Sequence, residues 1–424
     1  MEASKRVVLW GVLTLCACGE PGGAGGTAAG AAGVASGGSV ATVAMGGTTA
    51  AGTSSGAPAG AAGSGSSGAG GAAGATVAGQ GGGAGATTVA DIHGGKVVMA
   101  YVFDLDRWGG AAALNSLRWE AVTHVISAFW LPTADGSLLP YQETIAGAVQ
   151  SFPKYPNEVI AAAHAHGKKA LFSVGGAGGS QAFPSIAASP ALRAALAASI
   201  VQMIQERGYD GVDIDYEFPS SAEERTNFTA LMSEIYAQVK ANHPERIVMF
   251  GAPPGNLLSW QDWTVLGQHC DYALYYGYTW GSPSTGPMKN PGVQFTTAGG
   301  DTFEHSLRGA LDFVLSKGFP AHKLVLANPY FGDQPTFTEW FLKADAWAAA
   351  KPTPHPEYLE AEVSGTWLTT PEAIPLKLSA VLSPESSVLA GQATLGGIGW
   401  WEWGYENPAD PVLTAATVKW FEAH

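Results

Sequence analysis

Residues 210–217 read Asp210-Gly211-Val212-Asp213-Ile214-Asp215-Tyr216-Glu217. Along a β-strand, successive side chains point to opposite faces. Asp213, Asp215 and Glu217 therefore share one face, with next neighbours about 6.5–7 Å apart. Val212, Ile214 and Tyr216 share the other face. An apolar face must pack on something apolar, and in a strand-and-helix protein that is a layer of helices. The acids are left to line the interior of a closed sheet, where one strand face is the lumen. Three carboxylates on such a face are costly unless they serve a purpose. They cannot all ionise cheaply, so at least one is pushed toward its protonated form. A protonated acid beside an ionised one is equipment for general acid catalysis. Glu217 stands at the C-terminal end of its strand, where barrel enzymes carry catalytic groups. A metal site would draw ligands from several strands, and no matching set of Asp, Glu or His stands out elsewhere. A solvated acidic edge strand would need polar residues opposite, and those are missing. No metal and no organic cofactor is implied.

Outward from this stretch, apolar β-branched runs alternate with helical patterns. Strands are expected over Lys96–Phe103, Val122–Phe129, Lys168–Val174, Gly211–Glu217, Ile247–Ala252, Asp271–Tyr278, Lys323–Ala327 and Gly397–Glu402. Between them lie helix signals. Asn157 is placed to cap a helix that Gly167 stops. Ser189-Pro190 opens a helix ending at Gly208. Ser221 to Glu224 has the spacing of a capping box. Thr302–Ser316 and Ala415–Glu422 carry further helical patterns. Strands alternating with helices call for a parallel sheet with right-handed crossovers. Eight units over residues 91–424 fit a single (β/α)8 TIM barrel. A doubly wound open sheet is the alternative, but no Gly-rich phosphate loop follows an early strand. The stretch between Tyr330 and Gly397 has room for a helix plus about 45 further residues, with Trp340, Phe341, Trp347 and Trp367 among them. It reads either as loops at the catalytic end or as a flap with its own small core.

The rest of the chain is of another kind. Residues 21–90 contain no Asp, Glu, Lys, Arg, His or aromatic residue, and 25 of the 57 glycines fall between Gly19 and Gly85. Such a Gly/Ala/Ser/Thr-rich stretch has nothing large to bury and is expected to be a disordered linker over 19–90. Ahead of it, Lys5 and Arg6 precede an apolar run, Val7 to Leu15, too short to span a membrane. This is the pattern of a secretory signal. Leu15-Cys16-Ala17-Cys18 followed by Gly19 resembles a bacterial lipobox. The resemblance makes Cys18 the lipidated residue and 1–18 the signal. It implies an exported protein held at the cell surface or outer membrane through a lipid anchor alone, or otherwise secreted. The net charge of −14 belongs wholly to residues 91–424, because Glu2 and Glu20 cancel Lys5 and Arg6. That balance argues against nucleic acid as a partner. Cys270 is the only cysteine of the folded part, so no disulfide can form within it.

Residues 210–217 resemble the DxxDxDxE signature of glycoside hydrolase family 18, the chitinase family. Lys96–Tyr101 is similar to the family's first strand, Thr123-His124 through Phe129 to its second, and Ser173-Val174-Gly175-Gly176 to its SxGG motif on the third. Pro329-Tyr330-Phe331-Gly332 and Gly396–Glu402 resemble the seventh-strand turn and the eighth strand. The resemblance implies a retaining hydrolase without an enzyme nucleophile, acting on β-1,4-N-acetylglucosamine linkages of chitin, chito-oligosaccharides or another N-acetylglucosamine-containing glycan. Glu217 would protonate the leaving oxygen. The substrate's acetamido oxygen would attack the anomeric carbon, giving an oxazolinium ion. Asp215 would orient the acetamido N–H, and Asp213 would share a proton with Asp215. Asp210, out of phase, would brace the start of the strand.

On the sixth strand the family shows Met-x-Tyr-Asp, and the equivalent here is Tyr276-Gly277-Tyr278-Thr279. Tyr278 then matches the tyrosine that supports the acetamido oxygen, and Thr279 replaces the Asp. A shift along the strand face would exchange Tyr278 for Tyr276. Trp401 matches the Trp beneath the reacting sugar. Ser173, Tyr101, Phe129 and Trp280 complete the expected substrate contacts, with Trp130 and Trp403 placed at strand ends for further subsites. Trp108, Trp119 and Trp420 are expected between helices and barrel. The same motif also serves endo-β-N-acetylglucosaminidases acting on N-glycan cores. A catalytically silent carbohydrate-binding barrel is a third reading, against which the intact Glu217 and Asp215 argue.

Overall fold

A computed structural model describes residues 92–424 except 146–147 and 282–283. The expected signal, Cys18 and the linker lie outside the described residues. The eight barrel strands are β1 (Val97–Val102), β2 (His124–Pro132), β3 (Lys169–Gly175), β4 (Gly211–Asp215), β5 (Ile247–Ala252), β6 (Tyr272–Tyr276), β7 (Leu324–Pro329) and β8 (Gly397–Trp401). Each pairs in parallel with its neighbours in chain order, and β1 pairs with both β2 and β8. The ring is therefore closed, which excludes the open doubly wound sheet. All eight sequence-predicted strands are present. The expected ends at Glu217 and Tyr278 overrun: β4 stops at Asp215 and β6 at Tyr276, so Glu217 and Tyr278 stand just past their strands.

Local chemistry explains the helices. Ser189 Oγ accepts the Leu192 N–H, and Gly208 closes the helix Pro190–Arg207 in a left-handed conformation, φ 78°. Ser221 Oγ accepts the Glu224 N–H at 3.1 Å at the start of Ala222–Asn242. The return bond of the expected box goes one residue earlier, from the Ser220 N–H to the Glu224 carboxylate at 2.9 Å. Asn157 is not a cap: its helix begins at Pro156, inside which Asn157 already lies. The helix expected from Thr302 begins at Leu307 instead, capped by Ser306. Thr302–Glu304 pairs as a short strand with Gln294–Thr296.

Two additions sit on this frame. An antiparallel hairpin, Leu138–Ile145 with Ala148–Phe152, extends β2 beyond the barrel rim. The long connection after β7 carries the strand pair Phe331–Gly332 and Thr338–Glu339, the hairpin Ala361–Val363 and Thr366–Leu368, and the helices Ala344–Ala350 and Ala373–Leu382. It has buried apolar residues of its own, including Trp340, Val363 and Leu368. At its centre Lys377 and Glu360, both about 1% exposed or less, are paired at 2.9 Å. Glu360 also accepts from Ser284 Oγ and the Thr285 N–H, which ties the connection to the loop after β6. Arg107, after β1, grips Glu339 through two hydrogen bonds of 2.9 and 2.8 Å. The connection is thus both a unit with its own core and a set of braces across the loops that leave the barrel's C-terminal end.

Candidate active site

Alternation along β4 is as the sequence predicts. Tyr216, on the outer face, stacks on Phe183 at 4.9 Å and meets Phe228 edge-on. Asp213 and Asp215, on the lumen face, are 0% and 2% exposed. Glu217, past the strand end, is less enclosed. Asp210 takes no part in this row. Its carboxylate meets His164 Nε2 at 2.7 Å, Lys169 Nζ at 3.2 Å, the Ala170 N–H at 3.0 Å and an Arg246 guanidinium nitrogen at 2.7 Å. It clamps the start of the strand. Burial alone would raise its pKa, but the Ala170 N–H, His164 and Lys169 hold it below the usual value.

Each lumen acid has a different set of supports. Asp213 Oδ2 accepts from Tyr101 on β1 and from Ser173 on β3, both at 2.7 Å. Its Oδ1 is buried with no hydrogen-bond partner. Asp215 Oδ1 accepts from Tyr276 on β6 at 2.6 Å. The Glu217 N–H donates to Ser180 Oγ at 3.0 Å, and that hydroxyl in turn donates to the backbone carbonyls of Asp215 and Gly176. Gly175 lets β3 and β4 come this close: at φ 114°, a Cβ there would lie 2.2 Å from the Asp215 carbonyl oxygen. Burial raises the pKa of all three lumen acids. The Asp213 charge raises Glu217 further, and the charges of Glu217 and then Asp213 raise Asp215. The cluster therefore holds a proton near neutral pH, in a place where an acid can donate it.

Aromatic rings form the surroundings. Trp401, at the end of β8, stacks on Phe129 at 5.5 Å and lies 5.0 Å from Tyr101. Tyr278 stacks on Tyr276 at 5.5 Å and meets Phe331 edge-on. The structure thus brings together Asp213, Asp215, Glu217, Tyr101, Ser173, Phe129, Trp401 and Tyr278. The hydroxyl protons of Tyr101 and Ser173 are directed at Asp213, so these two side chains support the acid rather than stand open to a sugar. Trp280 is not brought to the acids. It is 7% exposed and packs beside His305 and Tyr275. Trp130 follows Phe129 on the opposite strand face and lies under the Arg207 guanidinium. Trp403 packs edge-on against Trp119, in the layer between helices and barrel. Trp108, expected in that layer, instead meets Phe341 of the long connection and donates to the Gly404 carbonyl.

Three residues here have contacts that the sequence reading did not assign. Tyr276 touches Asp215, a contact that strand spacing cannot show. Glu402 follows Trp401, accepts the Phe103 N–H at 2.9 Å and is pushed up to about 8 by burial. Asp333, after β7, is pushed up to about 7 by burial and by Glu360. The Thr285 hydroxyl and the Thr279 N–H act on it in the opposite sense, so an acid does stand beside the turn in which Thr279 replaces the family's Asp. It comes from another strand's loop, which no local motif could reveal.

The sequence profile described as Glycosyl hydrolases family 18 matches residues 97–405. A closed parallel barrel with acids on the lumen face of β4 is what that match covers, and the chain belongs to glycoside hydrolase family 18. Among curated relatives, a chitinase-like effector of Moniliophthora roreri is 28% identical over 234 residues, 52% of this chain and 54% of that protein. Chitinase 1 of Aphanocladium album is 26% identical, over 50% and 55%. The chain spans about half the length of these relatives. A class V chitinase of Nicotiana tobaccum, solved as a point mutant in complex with NAG4, shares the fold. Its TM-score is 0.61 at 15% identity, over 77% of this chain and 99% of that one.

Proposed function

We propose that this protein is a retaining chitinase that cleaves β-1,4 bonds beside N-acetylglucosamine with help from the substrate's own acetamido group. The observation that carries the reading is the lumen row itself. Glu217 stands at the strand end with its pKa raised by burial and by Asp213, next to an aspartate held by a directed hydrogen bond. Glu217 donates its proton to the glycosidic oxygen as that bond breaks. The acetamido oxygen attacks the anomeric carbon, and Asp215 accepts the acetamido N–H and steadies its growing positive charge. The Tyr278 hydroxyl supports the acetamido oxygen. Water, deprotonated by Glu217, then opens the oxazolinium ion from the opposite side. Two inversions leave the β-anomer. The names of the curated relatives and the NAG4 complex of the structural neighbour support a chito-oligosaccharide as substrate.

The reading is tested by Glu217→Gln on chitotetraose. Turnover should fall by roughly 10²–10⁴, and NMR of the earliest wild-type product should show the β-anomer. Wild-type turnover in the variant, or an α-anomer from the wild type, would refute it. A parallel assay on a high-mannose glycopeptide, expected to be left intact, separates chitin from N-glycan cores.

A further inference from the structure

Asp213 and Asp215 are neighbours on one strand face, yet they are tied to opposite sides of the barrel. Asp213 is held from β3 and β1, through Ser173 and Tyr101. Asp215 is held from β6, two strands away, by a tyrosine that must reach across β5. The reach depends on one missing side chain. Gly251 on β5 faces the lumen between the two strands. A Cβ at Gly251 would lie 2.2 Å from the Tyr276 hydroxyl oxygen and 2.8 Å from Asp215 Oδ1. Tyr276 and Asp215 are 4% and 2% exposed, so water does not compete for the bond.

From this geometry we infer that Tyr276 is a positioning residue for Asp215: through the gap at Gly251 its hydroxyl fixes one carboxylate oxygen, favouring the anion and a single orientation of Asp215. This rests on the reading of Asp215 as the acceptor of the acetamido N–H. A hydroxyl bonded to a carboxylate at this distance is among the stronger hydrogen bonds, and it favours the charged form. The need is real. The groups acting on Asp215 are Asp213 and Glu217 from its own strand, Tyr276 and Tyr278 from β6 and its turn, and Tyr101 from β1. None of these carries positive charge, and burial and both neighbouring acids disfavour the anion. β5 contributes only Gly251 at this level, so Tyr276 supplies the compensating dipole. Its ring is held in turn by stacking on Tyr278, which stands past the strand end at the site.

The test uses Tyr276→Phe, which keeps the ring and its stacking, and Gly251→Ala, which fills the gap. In Tyr276→Phe, kcat on chitotetraose should fall about ten- to a hundredfold with KM within about twofold. The acidic limb of the pH profile should move to higher pH, since the anion has lost its donor, while Glu217's alkaline limb stays. Gly251→Ala should reproduce this, and the double variant should be no worse than either alone, because both remove one bond. Carbon-13 NMR titration of the Asp215 carboxyl in the intact protein without substrate should show the same upward shift in both variants. That titration reads the hydrogen bond whether or not the protein hydrolyses chitin. If it is unmoved in both folded variants, the assignment of Tyr276 is wrong. If it moves but kcat does not, the positioning role is wrong. If Glu217→Gln also leaves hydrolysis intact, the failure lies in the proposed function instead.

Discussion

Asp213 is the most deeply enclosed of the lumen acids, with no exposed surface. Its influence on chemistry is through charge. Beyond burial, the negative charge of Asp213 is the contribution that raises the Glu217 pKa. Asp213→Asn preserves shape and can still accept from Tyr101 and Ser173 while removing that charge. The general acid must be protonated in the free enzyme, so its pKa sets the alkaline limb of kcat/KM. Removing a negative neighbour makes the Glu217 proton easier to lose, so the alkaline limb should move to lower pH. Its movement is opposite in sense and limb to that expected for Tyr276→Phe. A kcat/KM profile measured across both limbs separates the two aspartates' roles. An alkaline limb unmoved in Asp213→Asn would mean that Glu217 does not feel Asp213.

At the scale of elements, β4 is pinned at one end and used at the other. Asp210 gathers the helix Pro156–Ala165, the start of β3 and the start of β5 onto the start of β4, through His164, Lys169 and Arg246. Asp210→Asn should destabilise the barrel by about 2 kcal/mol near neutral pH in urea unfolding. The folded-state pKa of Asp210 is depressed, so its contribution is present in full above the unfolded value of ~3.9 and is lost as pH falls through the folded value. The gap between variant and wild type should therefore close on acidification below about pH 4. A gap that stays constant there would show that packing, not charge, is what Asp210 supplies. The element scale also shows what could be read from the chain. The eight strands and the lumen face of β4 follow from a period of two and an apolar opposite face, both local signals. Asp210's exclusion from the row followed from phase alone. What could not be read depends on side chains meeting across the ring. Tyr276 reaches Asp215 only because Gly251 is small, and Asp333 meets Thr279 only because two strand loops converge. Trp130 and Trp403 looked available because they stand near strand ends, but strand phase and helix packing turn them away from the lumen.

At the scale of the whole molecule, the groups assigned to chemistry and the net charge belong to residues 91–424, while the four charges of the first ninety residues cancel. We read those residues, as a proposal, as an export signal, a lipid attachment at Cys18 and a tether over 19–90. A polymer such as chitin is too large to enter a cell, so an enzyme for it gains from being held outside, while the reaction itself needs only the barrel. The two requirements should therefore separate in one variant. Cys18→Ala should move the protein from the detergent-soluble membrane fraction to the medium. Its kcat/KM on soluble chitotetraose should stay within about twofold of wild type, because every group assigned to catalysis lies beyond residue 91. Washed cells carrying the variant should lose activity on particulate chitin, as the enzyme no longer travels with them. Metabolic labelling with a palmitate analogue checks the attachment directly. Label retained in Cys18→Ala, or an unchanged membrane fraction, would remove Cys18 as the anchor, and a wild type without label would leave an ordinary cleaved signal in its place.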